Sequence, residues 1–141
     1  MKIITKSEKE TIELGKRIAS KLKKGMIIVL TGDLGSGKTK LVEGILSYFG
    51  LENEISSPTF TIVNEYNLDN LNIYHFDVYR LEDVDEFTAI GGEEYFEKGA
   101  CLIEWGELIS DILPNNYSVI KFKRIDNEDN TREIEINNLE L

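Results

Sequence analysis

Residues 26–49, MIIVLTGDLGSGKTKLVEGILSYF, carry three signals in a fixed order. Met26-Ile27-Ile28-Val29-Leu30 is a continuous apolar run, the pattern of a strand buried on both faces of a parallel sheet. Gly32 to Thr39, GDLGSGKT, follows directly and matches G-x4-G-K-[ST] in full. Leu41, Val42, Ile45, Leu46 and Phe49 then recur at helical spacing up to Gly50. Glycines let such a loop curl until its N–H groups converge on phosphate oxygens, and the helix start adds partial positive charge. By composition alone the loop pattern would arise in roughly one chain of this length in two hundred. A glycine turn without a ligand would also leave Lys38 and Thr39 as accidents. Lys38 is expected on the β- and γ-phosphates of a nucleotide and the Thr39 hydroxyl on Mg²⁺. Asp33, Leu34, Gly35, Ser36 and Gly37 are expected to line the phosphates, with Lys40 just beyond.

Outward from this segment, Ser7 with Glu10 reads as a capping box opening a helix whose Leu14, Ile18 and Leu22 share one face, with Gly25 ending it. Ile3 and Ile4 form a short apolar start. Downstream, Phe60 to Tyr66 and Asn72 to Val78 read as strands joined through the turn-rich Asn67-Leu68-Asp69-Asn70. A short acidic helix fits Asp83 to Ala89, and Ala100 to Glu104 is a second buried-strand candidate. Tyr117 to Ile125 and Thr131 to Ile136 alternate on either side of Asp126 to Asn130, as in a terminal hairpin. No internal repeat, linker or low-complexity tract divides the chain. The expected architecture is one α/β domain over residues 1–141, three layers with a mixed sheet of about seven strands, as in P-loop nucleoside triphosphatases.

At 141 residues with 41% hydrophobic and 30% charged, the chain has the composition of an ordinary globular domain. No apolar run approaches the ~20 residues that span a bilayer, and the N-terminus MKIITKSEKE lacks the apolar core of a secretory signal, so a cytoplasmic protein without membrane contact is expected. Cys101, the only cysteine, reads as a small buried hydrophobe. A net charge of -10 disfavours unaided nucleic-acid binding. The charge is uneven: residues 1–40 carry ten Lys+Arg against four Asp+Glu, and residues 41–141 carry six against twenty-two. Lys16, Arg17, Lys21, Lys23 and Lys24 either solvate one helix face or form a docking surface for an acidic partner or RNA.

A Mg²⁺-nucleotide site also needs a carboxylate at the end of a neighbouring strand. Asp77 closes Ile73-Tyr74-His75-Phe76-Asp77, and Glu104 closes Cys101-Leu102-Ile103-Glu104. Asp77 is assigned to the metal through water, and Glu104 to the metal and to positioning or deprotonating the attacking water. Ser56-Ser57-Pro58-Thr59 is either a plain turn or a γ-phosphate sensor. Arg80 stabilises phosphate charge or pairs with Glu82 or Asp83. His75, the only histidine, reads as a packed strand residue with no second ligand group nearby. Trp105, the only tryptophan, covers the nucleotide or caps the core.

Taken together, GDLGSGKTKLVEGIL, SSPTFTIVNEY, YHFDVYRLEDVDEF, GGEEYF and CLIEWGE, in that order, resemble the TsaE (YjeE) family over roughly residues 7–110. The resemblance implies an ATPase of bacterial tRNA threonylcarbamoyladenosine biosynthesis. Its expected partners are the threonylcarbamoyl transferase subunit and its inactive paralogue (TsaD and TsaB type proteins). Those act on adenosine 37 of tRNA, which this subunit would reach only through the complex. Lys38 and Thr39 match the family's loop, Thr59 its switch-like threonine, Asp77 its Walker B type acid, and Glu104 with Trp105 its acid-tryptophan pair. Two positions depart from the pattern. Lys40 stands where the family usually has a second threonine, and Gly106 where it usually has proline, which predicts a less rigid turn after Trp105.

The leading expectation is a Mg²⁺-dependent ATPase, weak without its partners. A nucleotide-gated binding module without significant hydrolysis is the main rival. A small-molecule kinase is disfavoured by having only four arginines to build a lid, and a GTPase by the lack of an N-K-x-D sequence.

Overall fold

The computed structural model describes residues 1–33, 36–54, 63–79, 81 and 83–141. In chain order the elements are β1 (Lys2–Thr5), α1 (Glu8–Ala19), β2 (Ile27–Thr31), α2 (Lys38–Tyr48), β3 (Val63–Asn67), β4 (Asn72–Asp77), α3 (Val84–Ala89), β5 (Ala100–Glu104), β6 (Ser118–Ile125) and β7 (Glu128–Asn137). Two 3₁₀ segments, Gly92–Glu97 and Gly106–Ile112, flank β5. The strands form one seven-stranded sheet in the order β1-β7-β6-β2-β5-β4-β3. Its central four, β6, β2, β5 and β4, run parallel, and β1, β7 and β3 pair antiparallel at the edges. The expected mixed seven-stranded α/β architecture is therefore present.

Residue alternation sorts the core into two. Ile28, Leu30, Ile73, Leu102 and Ile120 point to the face covered by α1 and α2. Ile27, Val29, Tyr74, Phe76, Cys101 and Ile103 point to the face covered by α3 and the 3₁₀ segments. Both faces are apolar, so β2 and β5 read as unbroken hydrophobic runs rather than alternating ones.

The two long helices meet through glycine. A Cβ on Gly44 would lie 2.1 Å from the Ile12 carbonyl oxygen, and one on Gly15 would lie 2.3 Å from that of Leu41. Only residues without side chains let the backbones approach so closely, and α1 is thereby pressed beside the start of α2. Ser7 caps α1 by accepting from the Glu10 amide, while Glu10 reaches back to the Lys6 amide, each at 3.1 Å.

Two boundaries depart from expectation by several residues. The α1 helix stops at Ala19, not at Gly25: Ser20 donates its hydroxyl to the Arg17 carbonyl, and the chain tightens into i→i+3 turns through Leu22. In the terminal hairpin β7 starts at Glu128, because Asp126-Asn127 alone make the turn, with Asn127 at φ 67. Asn tolerates that left-handed conformation, which shortens the expected five-residue loop. The strand expected over Phe60–Tyr66 is described only as β3, since residues 55–62 lie outside the described residues.

Candidate functional site

The glycine-rich segment leaves β2 at the carboxyl ends of the parallel strands, between β5 and β6, where the chain's connections diverge to the two sides and open α/β sheets hold ligands. Gly37, at φ 112, provides the left-handed step from loop into α2. Phe122 of β6 backs the loop: a Cβ on Gly32 would sit 2.7 Å from its carbonyl oxygen. Lys38 is 4% exposed, and its ammonium donates to the Gly32 carbonyl at 2.7 Å. The same Nζ lies 4.3 Å from the centre of the Trp105 ring, a cation–π contact. An ammonium directed into its own loop has donors to exchange for phosphate oxygens. Ser36 Oγ is also buried and has no hydrogen-bond partner among the described residues.

A cavity of about 240 Å³ opens at this point. Gly37, Lys38, Thr39, Lys40 and Glu104 form one side of it. Glu8 and Thr11 from the start of α1, with Asn130 and Arg132 from β7, form the other. The second group was not foreseen, because its members come from the two ends of the chain and no local pattern marks them. The Arg132 guanidinium is held by the Asp129 and Thr131 carbonyls at 2.7 and 3.0 Å.

Glu104 ends β5, directly beside β2 and in register with Leu30. Asp77 ends β4, one strand farther out, in register with Glu104. Strand spacing puts their backbones about 5 Å apart. Glu104 lines the cavity with Lys38 and Thr39, whereas Asp77 does not reach it directly. One Asp77 oxygen accepts from the Tyr79 amide at 3.0 Å, which turns the chain after β4. Hydroxyl and carboxylate oxygens are hard donors that suit Mg²⁺, an ion that keeps several waters and takes one or two protein carboxylates. Thr39, Glu104 and, through water, Asp77 fit that demand. No cluster of three metal-ligating His, Cys, Asp or Glu residues occurs among the described residues.

His75 corrects its sequence reading. It is buried in β4 as expected, but its Nε2 lies 2.6 Å from Glu104 Oε2. Trp105 takes a left-handed backbone, φ 64, which costs a bulky residue of order 1–3 kcal/mol and aims its ring between Lys38 and Tyr79. Gly106 is no loose joint: it is buried, and a Cβ there would lie 2.8 Å from Val29 Cγ2 on β2. Lys40 pairs with Glu43 at 3.2 Å and Glu8 at 3.7 Å, contacts that raise its ammonium pKa above the ordinary 10.5. Cys101 is buried without exposure, and burial pushes its thiol up to about 12. Asp33 is exposed at the loop's start. The expectations for Leu34, Gly35, Ser56 to Thr59, Arg80 and Glu82 lie outside the described residues. Among the described residues no helix is long and apolar enough to cross a membrane.

Comparison with known proteins bears on this geometry. Residues 5–134 match the family model described as "Threonylcarbamoyl adenosine biosynthesis protein TsaE". Proteins named "tRNA threonylcarbamoyladenosine biosynthesis protein TsaE" are similar over most of the chain. The one from Bacillus subtilis is 43% identical over 131 residues, 92% of this chain and 80% of the relative. Those from Haemophilus influenzae and Treponema pallidum are 40% and 36% identical, covering 89% and 96% of this chain and 81% and 99% of theirs. Among solved structures, Bacillus subtilis YdiB superposes with a TM-score of 0.74 at 36% identity, over 95% of this chain and 82% of that one. The matched span runs from the end of β1 into β7 and so takes in both sides of the cavity. The chain belongs to the TsaE family.

Proposed function

We propose that this protein binds and hydrolyses ATP with Mg²⁺ and thereby supports threonylcarbamoylation of adenosine 37 in tRNA. The reading includes nucleotide-dependent interaction with a transferase subunit and its inactive paralogue, proteins of the TsaD and TsaB type. Family membership and the names of the relatives support the pathway. One observation carries the chemistry: Lys38 and Glu104, a phosphate-loop cation and a strand-end carboxylate, line the same cavity.

In this reading the loop amides and Lys38 hold the β- and γ-phosphates, and the side made by Glu8, Thr11, Asn130 and Arg132 receives the rest of the nucleotide. Mg²⁺, held by Thr39 and Glu104 with Asp77 behind them, would neutralise phosphate charge. Glu104 orients a water toward the γ-phosphorus. As the new P–O bond forms, the bond to the β–γ bridging oxygen breaks, its electron pair leaves with ADP, and the water's proton passes to the Glu104 carboxylate and on to solvent. Lys38→Ala should weaken nucleotide binding at least about 100-fold. Glu104→Ala should bind ATP and lose on the order of 10²-fold or more in turnover. ATPase rate and multiple-round tRNA modification, each measured with and without the transferase pair, test the rest; normal turnover by Glu104→Ala sinks the assignment.

A second reading, a nucleotide-gated module, is favoured by one contact. Phosphate binding that draws Lys38 away releases Trp105, whose ring lies 4.9 Å from Tyr79, and Tyr79 is 57% exposed. If partner binding by Glu104→Ala follows ATP as in wild type while modification proceeds undiminished, gating rather than hydrolysis is the function.

A further inference from the structure

We propose that His75 is a positioning residue for Glu104, fixing one carboxylate oxygen so that the other is presented to the reacting water; this role rests on the hydrolytic reading above. His75 and Asp77 lie on the same side of β4, and in the parallel pairing with β5 they face Leu102 and Glu104 respectively. His75 is thus diagonal to Glu104, the arrangement in which a long side chain reaches across two strands. The Nε2···Oε2 distance of 2.6 Å joins side chains that are 5% and 13% exposed, so little water competes for either group.

The proton can be placed. An ionised carboxylate only accepts, so Nε2 carries the hydrogen and donates it to Oε2. Nδ1 is buried and has no hydrogen-bond partner among the described residues. Glu104 would otherwise sample several rotamers. Held by His75 it stays in one, and its ordering is settled on folding rather than during each turnover. The imidazole never touches the nucleotide; it acts through Glu104.

His75 is the only histidine in the chain, so its ring nitrogens give unambiguous NMR signals. In the full-length protein labelled with ¹⁵N, the spectrum should show a hydrogen held on Nε2, and Glu104→Ala should abolish that preference. An Nδ1–H tautomer, or a ring indifferent to Glu104→Ala, overturns the pairing. ATP hydrolysis, measured alone and with the transferase pair, supplies the second readout. His75→Ala should leave ATP affinity and KM nearly unchanged while kcat falls on the order of 10- to 100-fold, the usual range for residues that orient a site's ligands. His75→Gln, whose amide nitrogen can stand where Nε2 does, should recover most of that loss. An unchanged kcat in His75→Ala, a parallel collapse of ATP affinity, or a glutamine variant no better than alanine overturns the role. Wild-type protein that hydrolyses no ATP in either setting overturns the hydrolytic reading and this role with it. The ring spectrum still reports separately on the pairing.

Discussion

On the face covered by α1 and α2, β4 and β5 end in His75, Asp77 and Glu104, and the aliphatic core beneath them is sealed by a glycine contact between helices. On the opposite face the same strands present Tyr74, Phe76, Cys101 and Ile103 to an aromatic layer of Phe87, Tyr95 and Phe96. Tyr95 packs edge-on to both Tyr74 and Phe76, and Phe87 bridges Phe76 and Phe96. One residue along a strand separates the two environments. The proposed chemistry thus draws its carboxylates from one side, while the other contributes burial and ring packing. A thiol in that second layer, Cys101, is raised to about 12 and holds its proton at neutral pH.

The comparison breaks if damage to one face reads out on the other. Phe87→Ala removes a fully buried ring from the aromatic layer and should cost about 3–5 kcal/mol of stability, seen as a lower denaturation midpoint. Nucleotide affinity of the protein that remains folded should not move. Lys38→Ala is the reverse case. It should weaken ATP at least about 100-fold, ~3 kcal/mol, measured by calorimetry, with a melting temperature near that of wild type. Between them stands Gly44→Ala, which forces a methyl group into the Ile12 backbone and should destabilise by about 1–3 kcal/mol. That variant should also weaken nucleotide binding in the folded protein, because parting α1 from α2 moves Glu8 and Thr11 away from Thr39 and Lys40. Destabilisation by Gly44→Ala with wild-type affinity would show that the helix seam does not hold the cavity together.

How much of this was legible follows from how locally each part is encoded. The segment from α1 through β2 and the loop into α2 is contiguous, and its caps, apolar run and helical spacing each act over a few residues. Its helices and strand were readable, apart from the end of α1, where one Ser20 hydroxyl changes the turn geometry. The far side of the cavity was not readable. Glu8 and Arg132 lie at opposite ends of the chain and meet only because β1 and β7 pair at the sheet's edge. His75 is an intermediate case. Period-two spacing puts Ile73, His75 and Asp77 on one side of a strand, so a histidine two residues before a strand-end acid does signal the site face. Its partner, 29 residues on, could be named only once the register of β4 and β5 was known.

Lys40 gives the smallest effect and the finest test of the site face. Its ammonium spans the mouth of the α1–α2 seam, with Glu43 on its own helix and Glu8 on the other. The Glu8 carboxylate is exposed and that of Glu43 half-buried, and such surface pairs contribute roughly 0–1 kcal/mol and fade with added salt. Lys40→Thr should therefore lower stability by less than about 1 kcal/mol, with the difference from wild type shrinking as ionic strength rises. The pH dependence has a definite sign. A cation whose folded pKa is raised contributes stability that is complete below its ordinary 10.5 and is lost only as pH climbs through the raised value. Across the neutral range the two proteins should keep a constant difference, and a difference that varied there would have to come from a group other than Lys40. Nucleotide affinity separates two roles for the residue. If Lys40 only ties the helices, Lys40→Thr shifts ATP, ADP and adenosine binding alike; if its ammonium turns to the phosphates when a nucleotide enters, only ATP and ADP weaken, and more so at low salt.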